Sequence, residues 1–258
     1  MVTIFPVRAV LLREQGRNIL LSRSGRSRSQ GGLNVKLEND WLNPLSDWST
    51  NPEESANTIT HGLGFVLSIL GAIVMVTWVL RVGDAWRALG CTIYVASLVA
   101  VYAMSTLSHV CTSRSRKRLF QRLDQGFIYL LIVGTYTPFS LAFLHTGPWF
   151  TFLGIMWLIA IFGFVSKVLM AHRIDTVSIW IYVALGWMPI FAASTLAVLM
   201  PKAALWWTLI GGLCYTVGTI FLFFDTHVRH FHALWHLFVI AGSACHFFVI
   251  FFFVAPLR

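Results

Sequence analysis

The sequence predicts an all-α, polytopic membrane protein: a bundle of seven transmembrane helices. Three observations predict it. The composition is 57% hydrophobic and only 11% charged, with 21 Phe and 11 Trp, far from the balance of a soluble domain. Several apolar runs exceed the ~18 residues that read as a membrane span. The connections between them are short, as expected of antiparallel neighbours in a bundle. The net charge of +9 implies no nucleic-acid partner, because the basic residues follow membrane topology. The four cysteines (Cys91, Cys111, Cys214, Cys245) are scattered and form no C-x-x-C. They read as reduced, small apolar residues and not as a disulfide framework.

In chain order, residues 1–51 read as a basic, disordered tail. Residues 1–30 carry six Arg, with Ser and Gly clustered over 22–29, a composition that cannot bury a core. No continuous apolar core ends in a small-residue cleavage site, so no secretory signal is expected. Such a tail suits anionic lipid. Trp41 and Trp48 make an interfacial segment just ahead of the first span. Residues 52–258 then form the membrane domain, with spans expected near 57–80, 89–111, 124–145, 149–170, 177–199, 204–224 and 232–254. Pro138 and Pro189 fall inside spans three and five, where each removes a helix hydrogen bond and should kink its helix. Gly64, Ser68 and Ala72 recur every four residues, which suits close helix contact.

The positive-inside rule orients the bundle. With the N-terminus in the cytoplasm, the tail holds 7 Lys and Arg, the second loop 5 (Arg114, Arg116, Lys117, Arg118, Arg122), the fourth 2 and the sixth 1. The first loop has 2, the fifth 1 and the C-terminus 1. The inside loops alone lead by 8 to 4. The expected orientation has the N-terminus in the cytoplasm and the C-terminus outside.

This orientation gathers the polar outliers on one side. Glu54, Asn57 and His61 enter span one, Ser105 and His109 close span two, Asp124 opens span three, and His232 and His236 open span seven. His232 and His236 are four apart, so they lie on one helix face one turn from each other, a spacing that lets two imidazoles converge on a metal. His109 is the natural third ligand, at the same depth. Three His nitrogens with one open position is the arrangement of a catalytic zinc; interfacial histidines bonded to headgroups or loop carbonyls are the plainer explanation.

The ordered blocks Glu54–Ser55–Ala56–Asn57 with His61, Ser105 with His109, Arg122–Leu123–Asp124 with Gly134–Thr135–Tyr136–Thr137–Pro138, and His232 with His236 and His246 resemble the haemolysin III group of the progestin and adiponectin receptor superfamily. The resemblance runs from about residue 52 to 254. It implies seven helices with the N-terminus inside and a zinc held by His109, His232 and His236, with Asp124 near the zinc-bound water and Ser105 one turn before the ligand. Receptor members of the group are associated with hydrolysis of ceramide-type amides; the name of the bacterial members reflects haemolytic activity.

Each residue also has a bland reading. Asp124 is a charge favoured at a helix start, or a general base on the metal water. Ser105 bonds a carbonyl within its own helix, or the zinc water or a substrate carbonyl. Glu54, Asn57 and His61, at i, i+3 and i+7, cap a helix and bond between helices, or brace the metal ligands. His246, ten residues past His236, stands ~15 Å deeper on a straight helix and reads as a hydrogen-bonded core histidine. His227 and His230 read as solvated. The leading expectation is a zinc-dependent hydrolase of lipid amides or esters, with membrane lipids as partners and a lipid-like substrate. The alternatives are a receptor with a structural zinc and a cytolytic pore-former; the pore ranks last because the polar residues collect at one end of the bundle.

Overall fold

The computed structural model describes residues 12–14, 17–19, 52–170 and 175–256. The chain divides into two units, Met1–Pro44 and Leu45–Arg258. In the first, strand β1 (Leu12–Glu14) pairs antiparallel with β2 (Arg17–Ile19), Leu12 facing Ile19. The rest of the tail expected over 1–51, Trp41 and Trp48 included, lies outside the described residues.

The second unit is helical. Helix α1 (Pro52–Val82) begins on a proline, whose missing N–H is no loss at the first helical position. Glu53 and Glu54 follow in the first turn, where the helix dipole favours negative charge. Helix α2 (Ala85–Val110) is capped by Asp84, whose carboxylate accepts the Arg87 N–H at 2.7 Å. Helix α3 (Arg114–Phe143) begins well before the expected boundary at 124. The basic segment read as the second loop forms its first turns, because Arg, Lys, Gln and Leu are all strong helix formers and their charges need no bilayer there. After α3 come α4 (Pro148–Met170) and α5 (Asp175–Trp187).

Pro189 interrupts span five: a 3₁₀ turn over Met188–Ala192 separates α5 from α6 (Ala193–Leu199). A proline cannot donate to the i−4 carbonyl, and the tighter turn absorbs the loss. Helix α3, by contrast, continues through Pro138. Helix α7 (Lys202–Phe223) and α8 (Phe231–Val249) complete the bundle, α8 running on into a π-helical turn at Ile250–Val254. Among the described residues, seven helical segments are long and apolar enough to cross a bilayer, α5 and α6 together supplying the fifth.

Helix α3 is the most deeply buried span. It packs on α2, α4 and α5, while α8 packs on α7 and α1, and α1 on α2. Glycines set the closest approaches. A Cβ on Gly90 would stand 2.9 Å from the Pro138 Cα, so α2 and α3 meet at backbone distance. A Cβ on Gly64 would stand 2.5 Å from the Tyr102 ring, which places Gly64 at the α1–α2 seam, the close contact its small side chain suits. Polar side chains fasten the helices from within. The Ser243 hydroxyl on α8 hydrogen-bonds with the hydroxyls of Tyr102 of α2 at 3.2 Å and Tyr215 of α7 at 2.9 Å. Trp157 donates to Thr137, and Trp187 to Thr216. Outward faces carry large apolar groups such as Phe162 and Val198, 76% and 86% exposed, which only a hydrocarbon surround accommodates.

Candidate metal centre

Four helices deliver polar side chains to one end of the bundle: the starts of α1, α3 and α8, and the end of α2. Because α1 and α2 are antiparallel, their residues pair in reverse register. Glu54 meets His109, and His61, two turns further along α1, meets Ser105, one turn back along α2. The turn between α7 and α8 closes with His230 in the left-handed region (φ 66°), a conformation that His tolerates better than most residues. Its N–H points to Glu53 at 3.4 Å. That turn aims the first face of α8, with His232 and His236, at the other two helices.

The result is a ring of four imidazoles. His61, His109, His232 and His236 each offer a ring nitrogen, and these nitrogens all lie within 4.8 Å of one another. Ring centroids are 3.4 Å apart for His61–His236, 4.3 Å for His232–His236 and 5.4 Å for His109–His232.

Two of the rings are fixed by carboxylates. His109 donates from Nδ1 to Glu54 Oε2 at 2.7 Å, and Lys117 Nζ holds the other oxygen of Glu54 at 2.8 Å. His232 donates from Nδ1 to Asp225 Oδ2 at 2.9 Å. A carboxylate on Nδ1–H leaves the Nε2 lone pair free and raises its basicity, the usual support for a metal-ligating histidine. The third fixed ring is His61, whose Nε2 lies 3.2 Å from Ser105 Oγ.

The donor set suits a metal ion. Nδ1 of His61 and Nε2 of His236 are buried and have no hydrogen-bond partner in the protein. A buried polar atom left bare costs about 1–3 kcal/mol, and a cation held between these two would satisfy both. Neutral nitrogen donors are what zinc and its neighbours prefer.

The sequence-predicted residues distribute as follows. His109, His232 and His236 come together. His61, expected to brace the ligands, stands among them. Glu54 holds His109. Ser105 engages His61 and lies beside the Asp124 carboxyl. Asn57 is buried on α1 one turn before His61, its Oδ1 without a partner. Asp124 lines a cavity of about 510 Å³ together with His61, Ser105, His232 and His236. A second cavity of about 440 Å³ shares Val101, Ile128, Tyr182, Trp235 and Val239 with the first, and its lining is largely apolar. Pro189 lies on its wall, so the break in span five borders this space. His246 is buried there against Tyr215, as a core histidine, with its Nδ1 unpartnered. His227 and His230 are exposed.

Two residues escaped the sequence reading. Asp225 sits in a turn, seven residues before its histidine and without helical periodicity to betray it. Lys117 was legible only as one of five topogenic charges.

A family profile described as Haemolysin-III related matches residues 49–247. The chain is 38% identical over 204 residues to the "Hemolysin-3 homolog" of Bacillus subtilis (strain 168), covering 79% of this chain and 95% of that protein. It is 39% identical over 204 residues to "Hemolysin-3" of Bacillus cereus, with 79% and 93% covered. The "Monocyte to macrophage differentiation factor" of Homo sapiens is 27% identical over 209 residues, with 77% and 83% covered. Seven apolar helices and these bacterial relatives identify an integral, multi-pass protein of the bacterial cytoplasmic (inner) membrane. The chain belongs to the haemolysin III-related family of the progestin and adiponectin receptor superfamily.

Proposed function

We propose that the protein is a zinc-dependent hydrolase of lipid amides or esters that works at one end of the bundle. The observation that carries this reading is the convergence of His61, His109, His232 and His236, of which His61, His232 and His236 line a cavity that also holds Asp124 and borders a second, apolar one. His109, His232 and His236 would hold the ion. When bound, zinc supplies Lewis acidity toward a carbonyl oxygen and lowers the pKa of water towards ~7. The remaining work belongs to the chain. Asp124 accepts the proton of the attacking water on its carboxylate and returns it to the departing amine or alcohol. Trp235 and Tyr182, common to both cavities, lie along the path by which an acyl chain would reach the apolar space.

The test is direct: purified protein carrying stoichiometric zinc is assayed against a panel of lipid amides and esters. Turnover that disappears on chelation supports the reading. Full zinc occupancy with no cleavage across the panel rejects it, and favours the receptor in which zinc only ties helices together.

The orientation belongs to the same proposal. The basic residues at the start of α3 put the histidine end in the cytoplasm. Tags placed at 112–123 are therefore expected to be protected in intact cells, and tags at 146–148 to be reachable from outside. Labelling of 112–123 from outside reverses the assignment.

A further inference from the structure

We propose that Cys214 on α7 and Cys245 on α8 form a redox-sensitive pair, which an organic hydroperoxide dissolved in the bilayer converts to a disulfide that staples the two helices together. The proposal is independent of the metal centre and of hydrolysis.

The two thiols are far apart in the sequence and are brought together by helix register. Both are free and half-buried, and their side chains are in hydrogen-bonding contact. Helices α7 and α8 meet at backbone distance: a Cβ on Gly242 would stand 3.0 Å from the Gly211 carbonyl oxygen. Phe221 of α7 stacks on Phe238 of α8, with ring centroids 5.1 Å apart. Cys214 precedes Phe221 by seven residues, and Cys245 follows Phe238 by seven. Two turns along antiparallel helices therefore carry the same seam from ring on ring to sulfur beside sulfur. Trp207, seven before Cys214, continues the seam by meeting Phe248 at 5.2 Å. A disulfide needs Cα atoms closer than ~7 Å, a separation that helices in backbone contact allow.

The seam is open to hydrocarbon. Trp207 and Phe248, which flank the pair, are 40% and 36% exposed on helices that cross the bilayer, so an oxidant reaching the sulfurs must be soluble there. With an organic hydroperoxide, one sulfur attacks the outer peroxide oxygen and the O–O bond breaks. The departing alkoxide takes the thiol proton and leaves as an alcohol. The second thiol then condenses with the sulfenic acid so formed: the S–S bond forms, the S–O bond breaks, and hydroxide leaves with the second proton as water. Two thiols are oxidised by two electrons in all, and one hydroperoxide is reduced. A thiol in contact captures the sulfenic acid before it runs on to the irreversible sulfinic acid. Tyr215 and His246, next in sequence to the two cysteines, stack on each other and line the second cavity, so the staple fixes that wall.

The test uses reduced, full-length protein in phospholipid vesicles, treated with cumene hydroperoxide, then denatured, alkylated and digested for mass spectrometry. A peptide joining Cys214 to Cys245 within one chain is expected, lighter by two hydrogens and released by dithiothreitol. Cys91, fully buried on α2, and Cys111, at the end of that helix, are expected to remain thiols. Hydrogen peroxide at the same concentration is expected to form the link more slowly, because it stays in water. The oxidised protein is expected to melt at a higher temperature than the reduced one, since the cross-link restricts the unfolded chain, and Cys214→Ser is expected to show neither link nor shift. Both thiols still free after treatment, a sulfinic acid without a linked peptide, or a link formed only between chains overturns the proposal. Faster reaction with hydrogen peroxide overturns entry from the bilayer, and a link that leaves the melting temperature unmoved overturns the staple. The wild-type result needs no variant to fold, and metal content enters none of these readouts, so failure here leaves the hydrolase reading standing.

Discussion

Replacing His236 with Ala is expected to empty the metal centre and soften the bundle around it. His236 is 3% exposed, and its Nε2 has no partner within the protein. Its Nε2 is therefore free for whatever the ring of imidazoles holds. Loss of an outer partner alone lowers metal affinity by ~10–100-fold, and loss of a donor costs at least that much. Zinc per chain is expected to fall to about a tenth of wild type or less, measured by elemental analysis after dialysis. Because the site exists only in the folded protein, binding energy is folding energy, and thermal stability falls with it. A chelator is then expected to lower the melting temperature of wild type and to leave His236→Ala unmoved. His246→Ala is the control. It also removes a buried imidazole from α8, but one turned toward Tyr215 and the second cavity, so zinc is expected to stay.

The second large effect is expected at Asp124. Asp124→Asn keeps the size of the side chain and its place beside Ser105 but can no longer accept a proton. General base catalysis is worth ~100- to 10,000-fold, so hydrolysis is expected to drop by that factor while the helical spectrum stays unchanged. Glu54→Gln is expected to act on another quantity. Glu54 engages His109 and Lys117 and reaches neither cavity. Its neutralisation is expected to weaken zinc binding by ~10–100-fold and to lower any turnover only in proportion to the metal lost.

Much of this architecture is written in the order of residues, for identifiable reasons. Membrane spans are legible because the bilayer leaves a helix no alternative. The apolar runs of α4, α7 and α8 thus match their helices within a few residues. Boundaries fail where a helix leaves the hydrocarbon, as at Arg114, since hydropathy stops there and helix propensity does not. The break at Pro189 was legible as backbone chemistry, whereas continuity through Pro138 depends on packing against α2 that no single-helix pattern reveals. At the site, His232 and His236 carry their own spacing, and His109 follows from depth. The near approach of His61 requires the antiparallel register of α1 and α2, which depends on Gly64 and Tyr102 meeting across the seam. Asp225 holds His232 from a turn, where neither period nor depth marks it. Long-range pairings of this kind exist only once the helices have docked.

The central claim is that the metal is held by histidines while Asp124 serves the chemistry, and zinc content measured on purified Asp124→Asn protein tests it most directly. The account predicts zinc close to the wild-type level, on a folded protein whose hydrolysis has collapsed. Loss of zinc from Asp124→Asn, to the level found in His236→Ala, would make Asp124 a ligand and contradict the account.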